Sequence, residues 1–343
     1  MTLNSCNDKI RTRIIISGLY YSGSSAVVDF LKECDNVGIY PDEFNQFRGA
    51  GLIGDILKAL PDFRSTDRTD AYISKYGGID YLSISKNKVG HNRRANFHRF
   101  IDRVIDFSKF KNNTMSGKKD DTLLELKSLI TQFSSKKKLH EVNLAKRWLR
   151  KIDDIYAQEM DYVVYDQAIY LGKHEKIWPK IFHPYKLIVV IRNPLDQLAQ
   201  LIRSNKISND HDRCTTNGIG DIYGNSIEGN LSYHASAINA RYEKLDKLVN
   251  SLPENSIFVI DFEDLILKYD CCNKAIINFT TNFKANIFHK NQKKYFKPEV
   301  SAKNLNIYQE YSIISPRQQN ISECLERYKR MKVISAAMLR NLS

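Results

Sequence analysis

The chain has 343 residues, of which 42% are apolar and 27% charged, and its net charge is +13. This is the composition of a soluble globular protein with one large domain or two modest ones. No apolar run approaches the ~18–20 residues that span a bilayer. The apolar stretch behind the N-terminus is too short for a signal-peptide core. The six cysteines show neither a CxxC pair nor a Cys/His metal spacing. We therefore expect a cytoplasmic protein with reduced thiols, no transmembrane segment and no metal.

Predicted strands and helices alternate along the chain. Short runs rich in branched apolar residues predict buried strands at Arg13–Ser17, Val37–Tyr40, Tyr162–Tyr165, Lys186–Ile191 and Ser256–Ile260. Helical periodicity predicts helices at Ser24–Cys34, Pro194–Ser204, Tyr233–Val249 and Glu263–Phe283. The alternation predicts a three-layer α/β fold with a central, mainly parallel sheet, whose ligands bind beyond the carboxyl ends of the strands.

The first predicted strand runs into a Gly-x-x-x-x-Gly turn, from Gly18 to Gly23, that opens a helix. The backbone N–H groups of such a turn and the positive end of the helix dipole form a cradle for phosphate. A P-loop NTPase has lysine directly after the second glycine, where this chain has Ser24. The missing cation argues against nucleoside triphosphate hydrolysis and favours a less charged 5′-phosphosulfate. The alternative is an ordinary turn between a strand and a helix.

The positive charge is concentrated between Lys86 and Lys151, a segment with 18 Lys and Arg against 6 Asp and Glu. Residues 84–151 interrupt the alternation, and we interpret them as a mostly helical, basic insertion that caps a single domain spanning residues 1–343. The charge suits a glycan acceptor or a peripheral contact with an anionic membrane, and a solvated surface is the alternative. Because no nucleic-acid-binding motif accompanies it, we expect no nucleic-acid partner.

The fourth predicted strand ends in Arg192, which is followed by Asn193-Pro194 and a helix. An arginine at the carboxyl end of a parallel strand points into the ligand crevice, where its planar fork can hold a phosphate through two hydrogen bonds. The alternative is an ion pair with Asp196 on the next helical turn.

Together these two segments resemble the sulfotransferases that use 3′-phosphoadenosine-5′-phosphosulfate (PAPS). The first resembles their 5′-phosphosulfate loop and the second their 3′-phosphate motif. Phe258–Leu265 is similar to a strand-to-helix segment of these enzymes, and Phe296–Asn304 to the late basic loop that closes over the nucleotide. The loop followed by Asp42-Glu43-Phe44 is most similar to bacterial sulfotransferase-like proteins of surface-polysaccharide synthesis.

The resemblance covers residues 13–45 and 160–310. It implies a P-loop-type, sulfotransferase-like fold and transfer of a sulfuryl group from PAPS to a carbohydrate hydroxyl, with 3′,5′-adenosine bisphosphate (PAP) as the product and no metal. It also implies which residues bind the nucleotide, namely Gly18, Tyr20, Tyr21, Ser22, Gly23, Ser24, Ser25, Arg192, Gln200, Lys297 and Lys303. The expected contacts of an anionic or neutral glycan acceptor are Arg48, His91, Arg93 and Arg94.

Two positions depart from the family pattern. Tyr21 stands where the family places Lys or Arg, and Gln200 stands where it places a serine that binds the 3′-phosphate. Tyr21 is an uncharged donor at a position with a chemical role, so we expect Arg48, Lys303 or a cation of the basic insertion to substitute for the missing charge.

Two carboxylates are candidates for the general base that the acceptor hydroxyl requires. Glu43 follows the second predicted strand, where several polysaccharide sulfotransferases carry their base. Asp166 ends the third strand, where the small-molecule enzymes of the family have a catalytic histidine; Gln167, the residue nearest that point, cannot be a base. We favour Glu43, and a helix cap or turn former is the alternative for either carboxylate.

Two other function classes compete with a sulfotransferase. One is a P-loop kinase or other phosphoryl transferase with an altered loop, which would need a Mg²⁺ carboxylate and a lysine for the γ-phosphate. The other is a catalytically weakened protein that keeps the nucleotide fold and uses the basic insertion to hold an anionic glycan or partner. Tyr21 and Gln200 are the residues that favour this second class.

Overall fold

The structure is a computed structural model that describes residues 9–19, 21–44, 47, 54, 141–204, 207, 227–282, 293–314 and 319–343. Its strands are β1 (Thr12–Gly18), β2 (Val37–Glu43), β3 (Tyr162–Asp166), β4 (Tyr185–Ile191) and β5 (Ile257–Asp261). The α-helices of these ranges are α1 (Ser24–Leu31), α2 (Glu141–Ala157), α3 (Trp178–Phe182), α4 (Pro194–Arg203), α5 (Ile227–Ser251), α6 (Phe262–Leu267), α7 (Tyr269–Thr281), α8 (Pro298–Ser301) and α9 (Gln319–Leu342). Short 3₁₀ helices cover Glu254–Ser256, Ala302–Asn304 and Ile307–Glu310.

The strands form one mainly parallel sheet in the order β2-β3-β1-β4-β5. Strand β4 runs parallel to β5, with Val189 opposite Val259, and β5 is buried along its whole length. The predicted α/β class with a mainly parallel sheet is therefore confirmed. After β3 the chain crosses β1 to form β4 on its other side, so the strand order reverses between β1 and β4. Sheets of this kind bind ligands beyond the carboxyl ends of the strands, where the order reverses.

All five predicted strands are present, with small shifts at their ends. The helical stretch predicted over Glu263–Phe283 is present but interrupted, because Lys268 leaves the helical conformation (φ −121°) and divides it into α6 and α7. Leu267, before this break, is exposed, and Tyr269, after it, is buried. Apolar periodicity continues through this break, so the pattern alone does not reveal it. The long C-terminal helix α9 was not predicted.

The chain divides into two compact units, whose boundaries cut β1, β2 and β3. The first unit comprises Met1–Arg13, Gly38–Val163 and Ala168–Pro184. Its described part has an aromatic core around Phe44, whose ring centroid lies 5.0 Å from that of Tyr40 and 5.7 Å from that of Trp148.

A buried ion pair joins the elements of the first unit. The Nη2 atom of Arg13 lies 2.6 Å from Oδ2 of Asp153 on α2, and both side chains are almost fully buried. The same guanidinium donates to the carbonyls of Phe182 and His183. One arginine therefore ties the start of β1 to α2 and to the end of α3.

The second unit comprises Ile14–Val37, Val164–Gln167 and Tyr185–Ser343. In it, α9 is bonded to the end of β5 through Asp261. The Tyr328 hydroxyl donates to Oδ2 of Asp261 at 2.8 Å, and the Asp261 N–H donates to Oγ of Ser335 at 3.1 Å. Burial raises the pKa of the Asp261 carboxyl. The C-terminal helix thus fixes the strand end that leads into α6.

The predicted basic insertion falls mostly outside the described residues. Its last part, from Glu141, is the start of α2. The single-domain organisation and the capping role of residues 84–151 stay predictions. Within the described ranges, no helix combines the length and the apolar character that crossing a membrane would require.

Candidate functional site

The segment between β1 and α1 folds into a braced loop. Tyr21 (φ 55°) and Gly23 (φ 85°) both adopt the left-handed conformation. The buried hydroxyl of Ser22 accepts a hydrogen bond from the Leu19 N–H at 2.9 Å. Left-handed residues in a turn direct successive N–H groups to one side, which is the geometry of an anion-binding nest.

The two glycines of the loop are each required by close contacts. A Cβ on Gly18 would lie 2.7 Å from Oγ of Ser22, 2.8 Å from Nε2 of Gln167 and 2.9 Å from Oγ of Ser24. A Cβ on Gly23 would lie 2.5 Å from the ring of Phe262. No larger residue fits at either position without displacing these groups.

Side chains from α4 and from the end of β4 hold the loop's carbonyls. Gln197 donates from Nε2 to the Leu19 carbonyl, and Arg192 donates from Nη1 to the Tyr21 carbonyl at 3.2 Å. In a trans peptide the N–H points opposite to the preceding C=O, so the Ser22 N–H faces away from Arg192. Two carbonyls of the loop are thus engaged by side chains, and the Ser22 N–H points away from Arg192.

Arg192 is a buried cation that bonds to carbonyls. It is 4% exposed, its guanidinium lies 5.1 Å from the ring centroid of Phe262, and Nη2 donates to the Asn304 carbonyl. Its Nε atom has no hydrogen-bond partner among the described residues. Burial lowers the pKa of Arg192, and the negative charge of Asp196 partly offsets that effect.

The predicted alternative, an ion pair between Arg192 and Asp196, is not formed in the described part of the chain. The Asp196 carboxylate instead accepts from the N–H groups of Asn306 at 3.0 Å and Tyr308 at 3.3 Å. Burial raises the pKa of this carboxyl. Arg192 is therefore left without a paired counter-charge in this part of the chain, which is the state of a residue suited to an anionic ligand.

Residues 293–308, here called the strap, are held to the loop region by three buried charged side chains. The Glu33 carboxylate, just past α1, accepts from the N–H groups of Lys293, Tyr295 and Phe296 at 2.7–2.9 Å. Arg192 donates to the Asn304 carbonyl of the strap. Asp196 accepts from the N–H groups of Asn306 and Tyr308 at its end. The strap contains the segment that resembles the late basic loop of the sulfotransferases.

The predicted nucleotide-binding residues of the described part of the chain all lie in the second unit. Lys297 and Lys303 are exposed on the strap, and Ser25 is exposed in the first turn of α1. Gln200 donates to Oγ of Ser204, the residue that caps the C-terminus of α4, at 3.3 Å. Tyr21 is partly exposed in the loop.

The two candidate bases lie in different units. Glu43 is exposed at the end of β2 in the first unit, and Asp166 is half-buried at the end of β3 in the second unit. Which of them is the base stays a prediction. Tyr20, Arg48, His91, Arg93 and Arg94 lie outside the described residues.

Sequence reasoning assigned no role in the site to four residues that shape it: Glu33, Gln167, Gln197 and Phe262. Gln167 had a recognisable signal, because it follows a predicted strand on the carboxyl side. Glu33 had none, since its partners are backbone groups about 260 positions later in the chain.

No family model and no curated protein sequence matches the chain. Among solved structures, the chain is similar to the sulfotransferase domain of the olefin synthase from Synechococcus PCC 7002. The TM-score is 0.46 at 12% sequence identity, and the alignment covers 94% of this chain and 96% of that domain. Across the described ranges, no cluster of three or more His, Cys, Asp or Glu side chains is arranged to hold a metal ion.

Proposed function

We propose that this chain is a sulfotransferase that uses PAPS to sulfate a hydroxyl of a carbohydrate. The observation that carries the proposal is Arg192, a buried guanidinium at the carboxyl end of β4 that joins the candidate phosphate loop to the strap without a paired carboxylate in the described part of the chain. A cation in this position suits a nucleotide that carries a second phosphate besides the one in the loop.

The residues present fit such a nucleotide. Gly18 leaves room for the side chains of Ser22, Ser24 and Gln167 to converge beneath the loop, and the unpartnered Nε of Arg192 is a donor that is already buried. The loop and the start of α1 would hold the 5′-phosphate through N–H groups and hydroxyls. Arg192 would hold the 3′-phosphate, with Gln200, Lys297 and Lys303 as further donors. A phosphate bound through two guanidinium nitrogens would use Nε and replace one of the carbonyls that Arg192 now contacts.

When bound, PAPS supplies an activated sulfuryl group, whose bond to the 5′-phosphate breaks as a bond to the acceptor oxygen forms. The chain's own residues have three tasks. The loop's N–H groups stabilise negative charge on the departing phosphate. A carboxylate, Glu43 in our preferred assignment, takes the acceptor's proton. The rigid bracing of the loop by Ser22 and Gln197 keeps these donors oriented.

The carbohydrate acceptor is proposed from the charge of residues 84–151, which suits an anionic glycan. Transfer of radiolabelled sulfuryl from PAPS to a panel of anionic and neutral glycans tests it. We expect an anionic glycan to be labelled. Its KM should rise with salt concentration, because salt screens the attraction between exposed charges. Labelling that is independent of salt would contradict the role of the basic segment.

Calorimetric titration with PAP, ADP and ATP with Mg²⁺ tests the nucleotide class. We expect PAP to bind most tightly. In the Arg192→Ala variant we expect PAP affinity to fall by about 2–4 kcal/mol, the range for truncating a buried charge pair. ADP lacks the 3′-phosphate and should lose much less, through the missing contact with the Tyr21 carbonyl.

Three outcomes of this titration would contradict the proposal. Equal losses of PAP and ADP affinity would make Arg192 a structural residue. A wild-type preference for ATP with Mg²⁺ would favour the altered kinase. Binding of none of the three nucleotides would favour the catalytically weakened binding protein.

A further inference from the structure

Gln167 directly follows β3 and is fixed to β1 through its own backbone. It adopts the left-handed conformation (φ 53°), and its N–H donates to the Ile16 carbonyl at 2.7 Å. Left-handed backbone is uncommon for a residue with a side chain and persists where the surroundings enforce it. The backbone therefore sets the direction in which the Gln167 side chain leaves the sheet.

The Gln167 side chain ends on the hydroxyl of Ser24. Its Nε2 atom donates to Oγ of Ser24 at 2.7 Å. The same nitrogen lies 2.8 Å from the place where a Cβ on Gly18 would be. A side chain at position 18 would thus collide with this contact, and the glycine makes room for it.

We propose that Gln167 is a positioning residue that aims the Ser24 hydroxyl at the 5′-phosphate of the bound nucleotide. The inference rests on the proposed function. A serine hydroxyl has one proton and two lone pairs. Because Gln167 donates to the oxygen, the proton is not used in this contact and can be donated to a phosphate oxygen.

The position of Ser24 supports this assignment. Ser24 is the first residue of α1, where unpaired N–H groups and the helix dipole favour an anion. It also occupies the place that lysine has in a P-loop NTPase. The Gln167–Ser24 pair gives this loop a neutral donor in place of that cation, which suits a group with less charge than a triphosphate.

A double-mutant cycle on Gln167→Met and Ser24→Ala tests the proposal. Methionine keeps the length of glutamine and removes the donor. Calorimetric titration with PAP and with ADP should show a loss of about 10-fold for each single variant, the size of one hydrogen bond to a charged group. Both nucleotides should be affected alike, because they share the 5′-phosphate. Both substitutions remove the same contact. The affinity of the double variant should therefore be no more than about twofold below that of the single variant that binds more weakly.

The matched control is Gln319→Met on α9, which should leave both affinities unchanged. Unchanged affinity in Gln167→Met would overturn the proposal, and so would losses that multiply in the double variant. Thermal unfolding of the unliganded proteins distinguishes the positioning role from a general structural role of Gln167. A structural role would lower the unfolding temperature of Gln167→Met, and its effect on affinity would not depend on Ser24. If Gln167→Met does not fold, Gln167→Glu decides: its carboxylate can only accept the Ser24 proton, so both affinities should fall, and unchanged affinities would overturn the proposal.

The same titrations separate this inference from the proposed function. If the wild type prefers ATP with Mg²⁺, the sulfotransferase proposal fails, and the role of Gln167 stands only if Gln167→Met weakens ATP binding. If the wild type binds PAP and the cycle shows no coupling, only the role of Gln167 fails. If the wild type binds none of the three nucleotides, both fail.

Discussion

At the scale of single residues, the loop shows how a phosphate cradle is built without a lysine. Its carbonyls are held by Gln197 and Arg192, and its serine hydroxyls are fixed by Leu19 and Gln167. Each of these contacts orients a donor before any ligand arrives, so little reorganisation remains to be done on binding.

The role of the general base can be tested by a conservative substitution of Glu43. We expect Glu43→Gln to reduce turnover by ~10²–10⁴-fold and to leave PAP affinity unchanged, because the amide keeps the shape and cannot take a proton. Single-turnover kinetics together with calorimetry measure both quantities. Asp166→Asn is the control at the end of β3.

Loss of turnover in Asp166→Asn alone would reverse the assignment and keep the reaction class. If neither carboxylate matters and Tyr21→Phe reduces turnover, Tyr21 has the chemical role at the position where the family has a cation.

At the scale of elements, the strap depends on Glu33. One buried carboxylate accepts three N–H groups of the strap, so in Glu33→Gln an amide NH₂ replaces an acceptor oxygen and leaves at least one N–H unsatisfied. The cost of such a buried donor is about 1–3 kcal/mol. We expect amide hydrogen exchange of Tyr295 and Phe296 to accelerate by about tenfold or more, with β5 unchanged. Glu299→Gln, exposed on α8, is the control.

If the strap helps to hold the nucleotide, Glu33→Gln should also weaken PAP binding. Faster exchange of the strap with unchanged PAP affinity would mean that Lys297 and Lys303 do not contact the nucleotide.

Neighbouring aspartates on α2 provide a matched pair for the first unit. Asp153 is 2% exposed and pairs with Arg13, whereas Asp154 is 66% exposed and pairs with Arg11. Asp153→Ala leaves a buried guanidinium unpaired and should cost about 3–5 kcal/mol in the free energy of unfolding. Asp154→Ala should cost about 0–1 kcal/mol, since the Asp154 carboxylate is exposed to water and the buried guanidinium of Arg11 keeps its bonds to the carbonyls of Met160 and Gln158. Urea unfolding measures both, and similar losses would contradict the assignment of a buried pair.

At the scale of the whole molecule, buried titratable groups limit the pH range of stability. Burial, with a smaller effect of Arg241, lowers the pKa of His234 from 6.5 to about 4. Between these values the unfolded chain binds a proton that the folded chain does not, so stability falls as the pH drops from 6.5 towards 4. In His234→Phe, the free energy of unfolding should depend less on pH between 6.5 and 4. Urea unfolding across this pH range measures it.

The loss of folding stability at alkaline pH has the opposite cause. Burial raises the pKa of Cys34, Cys272 and Cys324 from 9.0 to about 12. Between these values the unfolded chain releases protons that the folded chain keeps, so stability falls as the pH rises above 9. The same measurement on Cys324→Ala should show a shallower alkaline limb; an unchanged slope in that variant would refute the burial of this thiol.

The amino-acid sequence was sufficient to predict the strands, the α/β class and the position of the loop. These features depend on neighbouring residues: apolar runs such as Lys186–Ile191 make a buried strand wherever they pack, and Gly18 and Gly23 allow a turn that few other residues can form. Periodicity did not reveal the break at Lys268, because the apolar pattern continues through it.

Only the tertiary structure decided which groups meet at the site. Arg192 bonds to the Tyr21 and Asn304 carbonyls instead of Asp196, and Glu33 bonds to the strap, because the fold brings together segments that are far apart in the chain. The partners of these charged side chains are mainly backbone groups. Since every residue has a carbonyl and nearly every residue an N–H, side-chain identity carries no signal for such contacts, and they follow from the fold alone.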